Sequence, residues 1–464
     1  MKLQTYIDLL NSNEITPKEL VQEAIEKIKK MDSKINAVVE PRFEKALKEA
    51  DKDYSNTIFK GIPILIKSLG QNLKGEPSTS GSKLLTNAVA DNTDNFVKRI
   101  LDLGFIIIGQ TNSPEFGFKN ISDSKLYGSV RHPLDLSKSP GGSSGGAAAA
   151  LLANYVPVVA ASDGGGSIRI PASYCGLVGL KPTRGSIPTG PFSYRGWQGA
   201  SINFFLTNSI EDSELLFNAI KTNVVQSPFN YVENKQKIPE KLRIAYSLKS
   251  PVDSKVTKHA KKAITNTIIA LKKLGHTVVE AKPEYDGFKL MESYYLVNGV
   301  ETASMMKKIS TSLNRAITID DIELISWVLY QYGLSIKGWE MVDALNYWDL
   351  VSETMHEFHN EYDLFLTPST ADTAPDYDKT YQDQALIKKM INIEDISNKY
   401  EIVWDMFEDS LAYTPYTMLA NITGQPAISL PLYKNGDGYH LGVQFMAAKG
   451  KEKLLLEIGK QLMK

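Results

Sequence analysis

The sequence predicts an α/β protein built on a largely parallel sheet with helices on both faces. Three observations carry that expectation. The apolar runs at 62–66 and 105–109 have strand length and no polar face, as strands covered on both sides do. Segments with helical spacing stand between such runs, so strand and helix alternate along the chain. At 464 residues, 42% hydrophobic and 23% charged, the chain can bury a large core and lacks the bias of a disordered one.

Residues 3–30 read as two helices. Between them Thr16-Pro17-Lys18-Glu19 is a start signal, with Thr as N-cap, Pro at the first helical position and Glu at the third. Leu20, Ala24 and Ile28 then recur on one face. A strand is expected over 35–39, a short charged helix over 43–50, and the strand 62–66 ends at Lys67. A helix over 93–103 precedes the strand 105–109, which closes at Gln110-Thr111-Asn112. Small residues start a helix over 147–153, and 156–160 reads as a buried strand. One helix falls within 207–222. The polar, turn-rich segment 224–241 reads as a surface excursion. Strand 242–248, helix 254–274 and strand 277–281 continue the alternation. Residues 286–360 are helical and rich in Tyr and Trp, which packing between helices accounts for. Residues 364–366 return to the sheet, 376–410 are polar and helical, and 427–430 and 441–445 are closing strands before a terminal helix over 451–463.

Charge and cysteine usage exclude several classes. The formal net charge is −1 with both signs dispersed, so nothing marks a nucleic-acid face or an anionic membrane surface. The single Cys175 rules out an intramolecular disulfide framework. The opening MKLQTYIDLLNSNEI carries polar residues where a signal peptide needs an unbroken apolar region. A reducing cytoplasm is the expected location.

The chemistry concentrates between Ser139 and Pro182. This stretch holds two Gly-Ser nests, Gly141-Gly142-Ser143-Ser144-Gly145-Gly146 and Gly164-Gly165-Gly166-Ser167. A strand ending in a Gly-rich turn with a Ser presents a hydroxyl beside bare N–H donors, which predicts a serine nucleophile with an oxyanion hole. As a phosphate loop the first nest lacks the Lys and Ser/Thr that should follow its last Gly; Ala147 stands there. Neither nest has dinucleotide-fingerprint spacing, and Asn154, Tyr155 and Pro157 break the stretch as a membrane span. A nucleophilic serine needs a base, normally His. Of the six His, none sits in a strand-end turn beside a carboxylate signature. His356 and His359 are spaced i, i+3 without a third ligand, so they read as surface helix residues rather than a metal site. Lys67 is the remaining candidate, because burial at an apolar strand end disfavours its charged form. From its own segment alone, a strand-end lysine reaching into water is the favoured reading. Cys175 lies among small apolar residues and reads as a packing thiol, and Ser144 and Ser173 as structural hydroxyls.

SPGGSSGGAAAA followed by SDGGGSIRIPASYCGLVGLKPTRG resembles the core of the amidase signature family. The resemblance extends to GIPILIK (61–67), TNSPEFGF (111–118), YDLFLTPST (362–370) and GQPAISLPL (424–432), and so covers nearly the whole chain. It implies one α/β/α domain over 1–464 with a central mixed, mainly parallel sheet. Residues 60–215 would carry the catalytic motifs and 286–410 would form helical insertions near the active-site mouth. It implies amide hydrolysis in which Lys67 is the base, Ser143 relays the proton from a cis peptide with Gly142, and Ser167 attacks. The N–H groups of Gly164, Gly165, Gly166 and Ser167 would form the oxyanion hole, with Asp163 and Arg169 orienting the loop and Gly117 at the acyl pocket. Trp197, Trp404 and Tyr413 are expected as pocket walls. No metal or organic cofactor is implied; the expected partner is a small-molecule amide, with no nucleic acid or membrane and a homodimer left open.

This chain departs from the family pattern at several positions. Ser68 replaces the usual Asp after the lysine, which bears on how the lysine is held and on the pH optimum. Ser162 replaces the usual Thr before the loop Asp. Ile170 stands where the glutamyl-tRNA amidotransferase A subunit, the alternative reading as a glutaminase working in a complex, typically has Gln. The spelling is closer to free-standing amidases, including hydrolases of nylon-type cyclic oligomers.

Overall fold

The computed structural model describes residues 1–464. Its strands are β1 (Val38–Pro41), β2 (Pro63–Lys67), β3 (Ile106–Thr111), β4 (Asp123–Ser124), β5 (Gly128–Ser129), β6 (Val159–Asp163), β7 (Val178–Lys181), β8 (Ile202–Thr207), β9 (Arg243–Tyr246), β10 (Thr277–Glu280), β11 (Leu364–Pro368), β12 (Ala427–Lys434) and β13 (His440–Ala447). Eleven of them form one sheet in the order β1-β3-β2-β6-β8-β7-β12-β13-β11-β9-β10, while β4 and β5 pair apart from it.

The sheet is mixed and helix-covered as expected, but parallel pairing is not its majority. β2 runs parallel to β3 and β6, and β9 runs parallel to β10 and β11; every other neighbour pair is antiparallel. The reason is connectivity. Parallel neighbours need a crossover, which the helix Asn95–Asp102 supplies between β2 and β3 and the helix Lys258–Lys273 between β9 and β10. In the centre a tight turn at Asn435–Tyr439 sends β12 straight back into β13.

Local signals govern the element ends. Glu19 N–H donates to Thr16 Oγ1 at 3.2 Å and Thr16 N–H donates back to Glu19 Oε2 at 2.8 Å, a closed capping box. Leu20, Ala24 and Ile28 are buried on the inner face of that helix. It runs to Ile35, where a strand was expected to start. Asn36 turns the chain at φ 60°, and the Asp32 carboxylate accepts the N–H groups of Ala37 and Val38. Pairing therefore begins only at Val38. The strand expected over 156–160 is shifted likewise: Asn154 sits at φ 56° and Pro157 keeps the first residues in a turn, so β6 spans Val159–Asp163. That shift sets the second Gly-Ser nest directly at the end of a buried strand.

A cluster of 73 buried apolar residues surrounds the sheet, and a second of 33 lies largely among the helices Gly287–Leu313, Leu324–Ser335, Gly338–Glu361 and Lys399–Leu411. Residues 224–241 contain no helix or strand; Val225 and Val232 stand exposed while Tyr231 is buried against the main cluster. His359 is not a surface residue. It faces inward from its helix, with Nδ1 3.1 Å from the Tyr362 carbonyl, and burial pulls its ring down to about 4. No helix is long and apolar enough to cross a membrane.

Candidate active site

Because β2 and β6 are parallel neighbours in the interior of the sheet, Lys67 and Asp163 close their strands at the same end of it. The first nest enters the helix Gly145–Leu152, and its Ser143 and Ser144 reach Lys67 at that end. Lys67 Nζ lies 2.7 Å from Ser143 Oγ, 3.0 Å from Ser144 Oγ and 3.0 Å from Ser162 Oγ, all in buried residues. Burial pulls the Lys67 ammonium down to about 7, against the opposing pull of the Asp163 carboxylate. A neutral lysine has two N–H donors and one lone pair. Ser144 donates its own proton to the Ser162 carbonyl at 3.1 Å, so its oxygen accepts from the lysine. With a second N–H toward Ser162, the lone pair is left for the Ser143 hydroxyl. The Gly142–Ser143 peptide is cis. Ser68 does not touch the lysine amine: its hydroxyl is 2.9 Å from that of Ser113.

The second nest is held by a buried ion pair. Arg169 reaches both Asp163 oxygens, at 3.0 and 2.9 Å, and both residues are 0% exposed. The same carboxylate accepts Gly166 N–H at 2.7 Å and Ile168 N–H at 3.2 Å, curling the loop around itself. Burial alone would raise Asp163; the Arg169 charge and the Arg169 and Asn421 hydrogen bonds override it and hold the carboxyl at about 2. The remaining guanidinium protons go to the Thr417 carbonyl, Gln444 and Asn421. Gly166 sits at φ 127°, and a Cβ there would lie 2.3 Å from Thr417 Oγ1, so this position requires glycine.

One expected role changes here. Gly166 N–H already serves Asp163, which removes it from the expected oxyanion donors. No such partner takes the N–H of Gly164, Gly165 or Ser167. The Gly164 carbonyl accepts from the Tyr294 hydroxyl and that of Gly165 from Thr417, which fixes both peptide planes.

Removing Arg169 should expose how much this clamp holds. Arg169→Met leaves a buried, unpaired carboxylate and is expected to cost about 3–5 kcal/mol in urea unfolding at pH 7. Asp163 is depressed in the fold, so its stabilisation is present above its unfolded value near 3.8 and is lost as pH falls through about 2. An unchanged unfolding midpoint in that variant would show that the pair holds nothing.

A cavity of about 460 Å³ opens over these groups. Ser143, Ser167, Gly164, Gly165 and Gly117 line it, with walls from Phe116, Trp197, Tyr294, Phe407 and Met418. Ser143 and Ser167 share this cavity, and no hydrogen bond joins their hydroxyls. Gly117 takes φ 78°, and a Cβ there would lie 2.6 Å from Leu69 and 3.4 Å from Ser143 Oγ. Trp404 and Tyr413 are not walls. Trp404 packs at a tilt against Phe288 and Tyr400, and Tyr413 accepts a hydrogen bond from Lys379 beside Tyr381. Their neighbours Phe407, Ser410, Leu411 and Thr414 face the cavity instead. Cys175 is buried with its thiol 3.7 Å from the Pro140 carbonyl, and burial pushes that thiol up.

Several contributors escaped the sequence reading. Thr417, Asn421 and Gln444 complete the Arg169 site from far along the chain, and nothing in TMLANITGQP or GVQFM marks them. Tyr294 was one among many aromatics. Ser162 and Ser144 had a signal, since both stand inside the motifs, but their contact with Lys67 had none.

The Amidase family model matches residues 19–456. A lipoamidase of Enterococcus faecalis is 39% identical over 455 residues, covering 97% of this chain; the chain spans only 61% of that protein's length. A 6-aminohexanoate-cyclic-dimer hydrolase of Paenarthrobacter ureafaciens is 31% identical over 471 residues, with 98% of this chain and 92% of that one covered. The solved structure of a 6-aminohexanoate cyclic dimer hydrolase complexed with substrate superposes with a TM-score of 0.90 at 30% identity, covering 100% of this chain and 96% of that one.

Proposed function

This chain belongs to the amidase signature family, and from that premise we propose that it hydrolyses a carboxylic amide through an acyl-enzyme on Ser167. The observation that carries the reading is the buried Lys67 amine, lowered to about 7 and 2.7 Å from the Ser143 hydroxyl at the floor of the cavity. Substrate binding brings the Ser143 oxygen between the lysine and the Ser167 hydroxyl. Ser167 Oγ attacks the carbonyl carbon while its proton moves to Ser143, whose own proton moves to Lys67 Nζ. The developing oxyanion takes hydrogen bonds from the N–H groups of Gly164, Gly165 and Ser167. The tetrahedral adduct collapses as the C–N bond breaks, and the relay run backwards delivers the proton to the leaving amine. Water then attacks the ester by the same route and frees the acid and Ser167.

The cavity has the volume of a small-molecule site. Its aromatic walls, together with relatives named for a lipoamide and for a cyclic aminohexanoate dimer, support a small to medium, partly apolar amide as substrate. No observation favours the amidotransferase-subunit alternative: Ile170, in place of the usual Gln, is buried with its side chain beside the cavity.

The test is amine release from a panel of aliphatic, aryl, lipoyl and cyclic amides by the purified protein, followed by chromatography. At least one is expected to turn over without any other protein present. No release from the whole panel, or equal release by Ser167→Ala, overturns the reading.

A further inference from the structure

Four charged residues line the cavity: Asp94, Lys119, Glu301 and Lys308. Lys119 is committed to Asp123 at 2.8 Å and Glu323 at 2.7 Å. Asp94 accepts the Asn72 N–H at 2.7 Å and heads the helix Asn95–Asp102. Lys308 is exposed at the outer rim. Glu301, like Asp94, is half-buried and has no ion-pair partner, but Asp94 stands at a helix start and is tied to a backbone N–H, whereas Glu301 projects from within a helix and its carboxylate accepts from the Gln198 side-chain amide. A neutral amide donor fixes the direction of a carboxylate without cancelling its charge.

The position of Glu301 relative to the reacting groups follows from its helix. Tyr294, on the same helix Gly287–Leu313, donates to the Gly164 carbonyl in the nucleophile loop. Tyr294, Asn298 and Glu301 all line the cavity, so one helix face leads from that loop outward. Seven residues separate Tyr294 from Glu301, a rise of roughly 10 Å. Phe118 and Trp197, with ring centroids 5.6 Å apart, line the cavity too, and Trp197 immediately precedes Gln198. A flexible apolar chain laid along these rings ends at an oriented, unneutralised carboxylate.

We propose that Glu301 is a specificity residue that binds an ammonium group carried on an apolar arm of the substrate, on the order of 10 Å from the scissile amide. The inference rests on the amide-hydrolase reading above and names the substrate class for it: amides with an alkyl arm ending in a primary ammonium. The aromatic pair desolvates the arm, and the carboxylate held by Gln198 takes the charge at its end.

The test uses two matched sets of amides, one varied on the acyl side and one on the amine side. Within each set the arm ends in an ammonium, a methyl or a carboxylate group. In one of the sets, kcat/KM for the ammonium compound should exceed that of the methyl compound by about tenfold, mainly through KM. E301Q should bring that ratio close to one and leave the methyl-ended amide unchanged, which also shows that the variant is folded. E301K should shift the preference to the carboxylate-ended amide. Retention of the ammonium preference in E301Q overturns the proposal, as does a wild-type enzyme that prefers methyl or carboxylate ends in both sets. If wild type hydrolyses these amides in a Ser167-dependent way yet ignores Glu301, this inference alone fails. If wild type hydrolyses none of them, or Ser167→Ala is as active, the underlying reading fails with it.

Discussion

Lys67→Met should fold and lose nearly all turnover, and Lys67→Arg should be as inactive at every accessible pH. The physical case rests on the proton. A lysine in water titrates near 10.4 and is a poor base at neutrality. Here burial lowers the amine to about 7, so near neutral pH a large fraction carries a free lone pair beside Ser143. Activity should therefore fall on the acid side along a single ionisation with a midpoint near 7. Arginine keeps a cation but cannot release a proton in this range. A lysine that only held the fold together would tolerate that charge; a base would not. Methionine supplies the control, since it fills the stem without placing a bulkier guanidinium among Ser143, Ser144 and Ser162. The same shift has a second signature. Folded Lys67 loses its proton at lower pH than unfolded Lys67, so the unfolded state binds more protons between about 7 and 10.5 and wild-type stability rises with pH across that window. That slope should flatten in Lys67→Met. A Lys67→Arg variant that keeps most of its turnover would make Lys67 a scaffold residue and place the base elsewhere.

Ser167→Ala should abolish covalent labelling by a fluorophosphonate and reduce turnover by roughly a thousandfold or more. The hydroxyl is half-buried at the cavity wall, beside the unpartnered N–H groups of Gly164 and Gly165. An electrophile that enters the cavity therefore meets Ser167 with donors ready for its anionic oxygen. Competing nucleophiles are handicapped in nameable ways. Cys175 is 1% exposed, and burial holds its thiol protonated. Ser144 is 0% exposed, with its proton given to the Ser162 carbonyl. Ser144→Ala and Cys175→Ala should accordingly label as wild type does. Peptide mass mapping decides the matter: an adduct on Ser144 or Cys175 in the wild-type protein would sink the assignment of Ser167.

Much of this protein is legible in its sequence because the deciding forces act over a few residues. Thr16 and Glu19 close a capping box within one turn, wherever that helix goes. Runs such as Ile64-Leu65-Ile66 have no polar face and must be covered on both sides, as they are. Gly166 at φ 127° announces a backbone that other residues avoid, and its spacing from Asp163 and Arg169 already places three parts of one loop together. Boundaries failed where a side chain outside the hydrophobic pattern intervened, as when Asp32 captured the N–H groups of Ala37 and Val38 and delayed β1.

Sequence alone determined which segments are strand or helix, since turn chemistry and periodicity are properties of neighbours along the chain, and its motifs named the candidates for the chemistry through their family resemblance. Only the tertiary structure decided how those residues meet. The antiparallel centre of the sheet depends on which strand each connection returns to, and that is settled by packing. The Arg169 guanidinium is completed by Thr417, Asn421 and Gln444, between 248 and 275 residues away, after the sheet has closed around it. Phe407 rather than Trp404 faces the cavity, and His359 turns inward, because each helix presents the face that its neighbours cover. Lys67 itself shows the division most clearly. Its place at the end of an apolar strand is written locally, whereas its lowered proton affinity arises only when residues as far as Ser162, 95 positions on, fold against it and remove the water that would have kept it charged.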